Sequence, residues 1–273
     1  VILGPRVIKG GIPVEYGISI LLSGISLGGQ YALIAIGYTM VYGILRLINF
    51  AHGDVFMAAG LIMVYLSASL PIGVALPLMI LLTVLLGFVI ERAAYKPLRS
   101  APRMSVMISA IGVSYLLQNL ATYITGGLPQ MYPSLPVLSN QITIAGTSTK
   151  MVTVVTPILV VALVTAQLMG IKINNVISFT FVIGSLLAAV GSALYFTNYP
   201  SIVPLSGSLP GLRAFVAAVF GGIGSIPGAV VGAFLIGLSE TVIKSSNWSV
   251  FSDAFTFALL IIILVVKPTG LFG

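Results

Sequence analysis

Two short runs in this 273-residue chain carry its strongest local signals for chemistry. The first is Ile48-Asn49-Phe50-Ala51-His52-Gly53-Asp54, which sets an amide, an imidazole and a carboxylate close together in an otherwise apolar region. Groups of this kind are costly in an apolar medium and mark a pathway or a buried pair. Asn49 reads as the N-cap of the helix that follows. Asp54 then falls in its first turns, where the helix dipole stabilises an anion. His52 and Asp54 are two apart, so they point to different sides of a helix and do not form a local ion pair. Two readings follow for Asn49, His52, Gly53 and Asp54. One is a helix break that lines or gates a path; the other is a helix start whose polar groups bond to neighbouring helices. Catalysis by His52 has no support, because no nucleophile–base–acid set accompanies it. No catalytic residue is assigned.

The second run is Phe220-Gly221-Gly222-Ile223-Gly224-Ser225-Ile226-Pro227-Gly228. A phosphate-binding loop would need Lys and then Ser or Thr after its last glycine, and neither is present. A dinucleotide fold would need a preceding strand in a βαβ unit. The glycines weaken a helix and Pro227 lacks an N–H, so the run predicts an interrupted membrane helix around Gly221, Gly222, Gly224 and Pro227. Such breaks line cavities and bring half-helix ends to transport sites; tight structural packing is the other reading. Gln118 and Asn119 are a further polar pair, with contacts between helices as the expected role. Arg213 is expected at the membrane interface, its stem snorkelling. Without cysteine, and with a single histidine, no thiol chemistry or multi-histidine metal site is expected.

The elements that must position these residues follow from composition. The chain is 58% hydrophobic and only 6% charged, against about 25% charged in soluble domains. Too few charges are present to make a water-facing surface, so most of the surface must face lipid. Uncharged stretches at 16–45, 48–68, 71–90, 105–125, 151–165, 176–197, 214–239 and 254–266 approach or exceed the length that spans a bilayer. The expected fold is all-α: a polytopic transmembrane bundle of about eight hydrophobic segments with broken or re-entrant helices. The stretches 16–45 and 214–239 could each cross once, cross twice, or dip and return. No ten-residue alternation supports a β-barrel. Residues 1–15 read as a short tail, too polar for a signal sequence, and 16–273 as a single transmembrane domain. The net charge of +7 is scattered, with one cluster at Arg92, Lys96, Arg99 and Arg103. That cluster marks a cytoplasmic loop, not a nucleic-acid surface. The uncharged connections 126–148 and 198–212 are expected on the opposite side, and the linker 166–175 with Lys172 on the cytoplasmic side.

Read together, these stretches resemble one family. Residues 24–57 (GISLGGQYALIAIGYTMVYGILRLINFAHGDVFM) look like the N-terminal signature of Liv-type permeases of branched-chain amino acid ABC importers. ERAAYKPLR at 91–99, SAIGVSYLLQN at 109–119 and LMGIKINNVISFTFVIGSLLAAVGSAL at 168–194 are similar to the same family. So are GLRAFVAAVFGGIGSIPGAVVGAFLIGLSE at 211–240 and KPTGLFG at 267–273. The INFAHGD version resembles the LivH-type member of the two sister permeases rather than the LivM type.

The resemblance implies a multi-pass permease of the bacterial inner membrane. It implies a sister permease subunit, two cytoplasmic ATPase subunits that bind ATP and magnesium, and a periplasmic amino-acid-binding protein. This chain itself would carry no cofactor and no catalysis. Urea and amide importers use related permeases and are the alternative within the family. A secondary transporter or channel would call for more buried carboxylates, and beyond the tail only Asp54, Glu91, Glu240 and Asp253 are available. One departure stands out. The family carries a cytoplasmic segment with the ATPase-docking helix before LMGI, whereas here Thr165 runs straight into Ala166. A discontinuity is expected at that junction, with Leu168, Gly170, Ile171 and Lys172 as the trailing edge of the ATPase-coupling region.

Overall fold

The fold comes from a computed structural model, which describes residues 14–45, 49–144, 146–170 and 177–272. Most of the expected tail therefore lies outside the described residues, as do Ile171 and Lys172. Nine α-helices occur among the described residues: α1 (Val14–Leu45), α2 (His52–Ser67), α3 (Ile72–Ile90), α4 (Arg103–Thr125), α5 (Met151–Gly170), α6 (Ile177–Asn198), α7 (Ser208–Gly221), α8 (Ile226–Lys244) and α9 (Ser252–Val266). Six segments are long and apolar enough to cross a membrane: Glu15–Gly43, Ile72–Leu98, Arg103–Thr125, Ser178–Asn198, Ile226–Lys244 and Ser249–Val266. This is a helical, multi-pass membrane protein.

The two ambiguous stretches resolve differently. The first is one unbroken helix, α1, of 32 residues. At 1.5 Å per residue it is about 48 Å long, so it must tilt or project beyond a hydrocarbon core of about 30 Å. The second divides into α7 and α8, because Gly222 takes φ 114° and Gly224 φ 102°, which helices do not tolerate. Helix α5 continues through Thr165 and Ala166 to Gly170. Helix α3 likewise does not end at a loop. It passes into a π-turn, Glu91–Tyr95, and a 3₁₀ turn, Lys96–Leu98.

Helix α1 is the centre of the bundle, enclosed by α5, α6, α7 and α8. Its contact with α8 is backbone-close: a methyl placed on Gly28 would sit 2.7 Å from the Phe234 Cα. Small residues allow such an approach where lipid offers no hydrophobic drive between helices. The two ends of the bundle differ. One end carries Arg92, Lys96 and Arg99 around the π-turn, where Ser178 at the start of α6 donates to the Glu91 carboxylate at 2.8 Å. The other end holds the uncharged 126–148 connection and four short strands: β1 (Gln130–Met131), β2 (Gln141–Ile144), β3 (Thr147–Lys150) and β4 (Ser201–Ile202). There β1 pairs antiparallel with β4, and β2 with β3. The side-chain hydroxyl of Tyr16 on α1 bonds the Ser245 carbonyl after α8 at 3.1 Å, so α1 starts and α8 ends at this same end.

Candidate translocation site

Helix α2 starts in the interior because its first turn is built from side chains that other helices receive. Asn49 does not cap it, as the sequence suggested. The residue before the helix is Ala51, with no side-chain cap. The Asn49 amide oxygen instead accepts the hydroxyl of Tyr95, from the π-turn, at 2.5 Å. The Tyr95 ring in turn lies 4.8 Å from that of Phe181 on α6. His52 is buried in a socket formed by glycines: a methyl on Gly37 would come within 2.3 Å of its Nε2, and one on Gly184 within 3.6 Å of Cε1. Its ring meets Tyr38 edge-on at 5.0 Å. These neighbours position the ring and supply no catalytic set.

Asp54 points the other way, as the two-residue offset requires. Its carboxylate, 2% exposed, accepts the Ser114 hydroxyl and, at 3.0 Å, the Gln118 amide. Ser114 and Gln118 sit one turn apart on α4 and also bond to each other at 3.2 Å. Asn119, the next residue, turns outward and donates to its own helix at the Tyr115 carbonyl. The polar pair thus splits, with Gln118 inside and Asn119 exposed.

Beside Asp54 lies a cavity of about 180 Å³. Its walls are Tyr38 of α1, Gly53 and Asp54 of α2, Ser114 and Gln118 of α4, and the start of α7 from Gly207 to Phe215. The first turns of α2 and α7 touch at backbone distance, since a methyl on Gly53 would lie 2.6 Å from the Gly207 carbonyl oxygen and 3.2 Å from the Gly211 Cα. Two short helices therefore begin at one hollow. Each N-terminus carries partial positive charge, and the Asp54 carboxylate lies on the same cavity wall. Below the cavity Tyr38 and Phe215 meet edge to face, with ring centres 6.1 Å apart. Beyond them a smaller hollow, lined by Tyr42, Ala218 and Ile223, continues toward the end of α7.

The expected break at 221–228 lies at that far end, six residues of helix beyond Phe215, about 9 Å from the cavity wall. Gly221, Gly222, Gly224 and Pro227 form a tight helical hairpin there. Gly221 and Gly228 meet backbone to backbone, and the Ser225 hydroxyl caps α8 by accepting the Gly228 N–H at 3.2 Å. Pro227 stands in the first turn of α8, where its missing N–H costs nothing. The open carbonyls of α7 are closed by the C-terminal stretch: Leu271 N–H donates to Phe220 and Phe272 N–H to Gly221, each at 3.0 Å.

Arg213 is not interfacial. It is 7% exposed and bonds the Glu240 carboxylate at 3.0 Å, the Tyr31 hydroxyl at 3.0 Å and Asp253. Lys244 reaches Glu240 as well, at 2.5 Å. This knot joins α1, α7, α8 and α9. Sequence reasoning missed Ser114, Tyr38, Tyr95 and the knot. Only the i, i+4 spacing of Ser114 and Gln118 on one face of α4 could have pointed to the first. Leu168 and Gly170 fall in the last turns of α5.

A family model described as the permease component of branched-chain amino acid transport systems matches residues 20–166 and 163–264. The high-affinity branched-chain amino acid transport system permease protein LivH of Escherichia coli (strain K12) is 36% identical over 290 aligned positions, covering 93% of this chain and 94% of the relative. LivH of Salmonella typhimurium matches to the same extent. BraD of Pseudomonas aeruginosa, another high-affinity branched-chain amino acid permease protein, is 37% identical over 293 positions, with 93% and 94% covered. No solved structure matches.

Proposed function

Because the chain belongs to the family of permease components of branched-chain amino acid transport systems, we propose that it lines a route for leucine, isoleucine and valine across a bacterial inner membrane, paired with a sister permease and driven by ATP. The observation that carries this reading is the meeting of two helix N-termini and one buried aspartate at a single cavity. An α-amino acid is a zwitterion. Helix N-termini suit its carboxylate, Asp54 suits its ammonium group, and Phe50, Leu212 and Phe215 on the cavity wall suit an aliphatic side chain. A neutral urea or amide would bring no cation to partner the Asp54 carboxylate, which disfavours that substrate class.

The rest of the machine follows from charge and continuity. The end bearing Arg92, Lys96 and Arg99 faces the cytoplasm by the positive-inside rule. A periplasmic binding protein then delivers solute to the opposite end. Two ATPase subunits, which hold ATP and magnesium, dock at the cationic end beside the last turns of α5. The alignment with the Escherichia coli relative is longer, at 290 positions, than this chain's 273 residues, so that relative carries residues absent here. The two family-model matches join at 163–166, which supports an ATPase-contact segment at that point in relatives. ATP binding shifts the permease pair between outward- and inward-facing states only as far as the ATPases bind the two states differently. The Tyr38–Phe215 pair is the barrier such a shift would open.

The test is leucine uptake by the reconstituted assembly carrying Asp54→Asn. A charged hydrogen bond lost from the translocated solute is worth about 1.5–3 kcal/mol, so uptake efficiency should fall about 10- to 150-fold while the complex still assembles. Undiminished uptake by an assembled Asp54→Asn complex would overturn the reading.

A further inference from the structure

We propose that a second cavity, at the end of the bundle opposite the Arg92, Lys96 and Arg99 cluster, is an outer amino-acid subsite that receives the solute before it reaches Asp54. The inference rests on the reading of this chain as an amino acid permease. The cavity has a volume of about 240 Å³ and lies between α1, the β3 strand, the start of α5 and the end of α6. Its α1 wall is Ser23, Ser26, Leu27 and Gln30, one helical stripe at i, i+3, i+4 and i+7. Facing it are Lys150, Thr153 and Tyr199.

Three observations point to a ligand with opposite charges at its two ends. Gln30 is fully buried, and its amide oxygen has no hydrogen-bond partner within the chain. Ser26, 2% exposed, has a hydroxyl in the same state. Burying such groups unpaired is costly, so a guest gains by supplying their partners. At the rim the Lys150 ammonium donates to the Thr197 carbonyl at 2.9 Å, and no carboxylate pairs with it among the described residues. Two of its three donors are left for a guest anion. The order along the cavity is therefore a cation at the mouth and an acceptor at the floor. An α-amino acid meets it with its carboxylate toward Lys150 and its ammonium toward Gln30, its aliphatic part beside Leu27. Gln30 lies eight residues before Tyr38 on α1, about 12 Å up the axis from the Asp54 cavity. The two sites are thus successive stations on one helix.

The experiment is equilibrium binding of radiolabelled L-leucine to the complete transporter in neutral-lipid nanodiscs, without ATP and without the periplasmic binding protein. Wild type should bind one more leucine than Lys150→Met, and Lys150→Arg should restore it. In wild type, 4-methylpentanoate, which keeps the carboxylate, should displace that leucine; leucinol, which lacks it, should not. Unchanged stoichiometry and affinity in Lys150→Met, or equal competition by both analogues, would show that the cavity holds only water and overturn the proposal. Asp54→Asn separates this from the underlying reading: it should remove a different leucine and leave the Lys150-dependent one in place. If Asp54→Asn changes nothing while Lys150→Met removes a site, the outer subsite stands and the inner one falls.

Discussion

Asn49 shows how one residue's role can pass from its own helix to a distant one. Its amide is a good cap by type, yet its oxygen is taken by the Tyr95 hydroxyl, which the π-turn carries into the core. π-turns cost regular hydrogen bonding and recur at functional sites. This one holds Asn49 through Tyr95 and the start of α6 through Glu91 and Ser178. Replacing Tyr95 by Phe leaves a buried acceptor unpaired, at a cost of about 1–3 kcal/mol. The expected result is a lower unfolding midpoint and slower leucine uptake in proteoliposomes, with leucine binding to the isolated complex retained. Asn49→Ala removes both partners' need for each other except the Tyr95 donor, so it should lower the midpoint by a similar or smaller amount and also slow uptake. Full activity in both variants would detach this contact from transport.

At the scale of elements, the short helices α2 and α7 matter because neither starts at a membrane surface. Their shared starting point depends on Gly53, Gly207 and Gly211, where any side chain would collide with backbone. Gly53→Val should force the first turns apart and abolish uptake even where the protein still assembles, as measured by flux against the amount of complex in the membrane. The hairpin between α7 and α8 has a different need. Gly222 stands at φ 114°, a conformation that costs a branched or bulky residue about 1–3 kcal/mol, and Gly270 of the C-terminal stretch lies against it. Gly222→Leu should therefore loosen the 270–272 cap, read out as faster proteolysis of the C-terminus, with a fall in uptake. If uptake is full, the hairpin is structural only and plays no part in the route.

At the scale of the molecule, the knot of Arg213, Glu240, Lys244, Asp253 and Tyr31 locks four helices around the half-helix α7. Two cations face two anions, so the group is neutral as a whole and its polar atoms largely satisfy one another. Removing one member of such a set is what costs most: Glu240→Ala leaves Arg213 buried without its inner partner, a loss of about 3–5 kcal/mol. The unfolding midpoint in detergent should drop by several degrees more than for Asp253→Asn, whose carboxylate is 49% exposed and screened by water. Equal shifts for the two would show that burial does not set the strength of this knot.

Much of this was legible in the sequence, for a local reason. Long uncharged runs must be helices in lipid, because each must satisfy its own backbone. The glycines and proline of 220–228 had to interrupt one of them, since backbone conformation is a property of a few consecutive residues. The offset of His52 from Asp54 likewise followed from helical period alone. What tertiary structure alone decided is which partner each polar group found. Asn49 went to Tyr95, Asp54 to Ser114 and Gln118, and Arg213 went to Glu240 instead of the membrane surface. Each of those bonds joins residues tens to scores of positions apart. Their geometry is set by how helices cross, and no spacing along the chain encodes it.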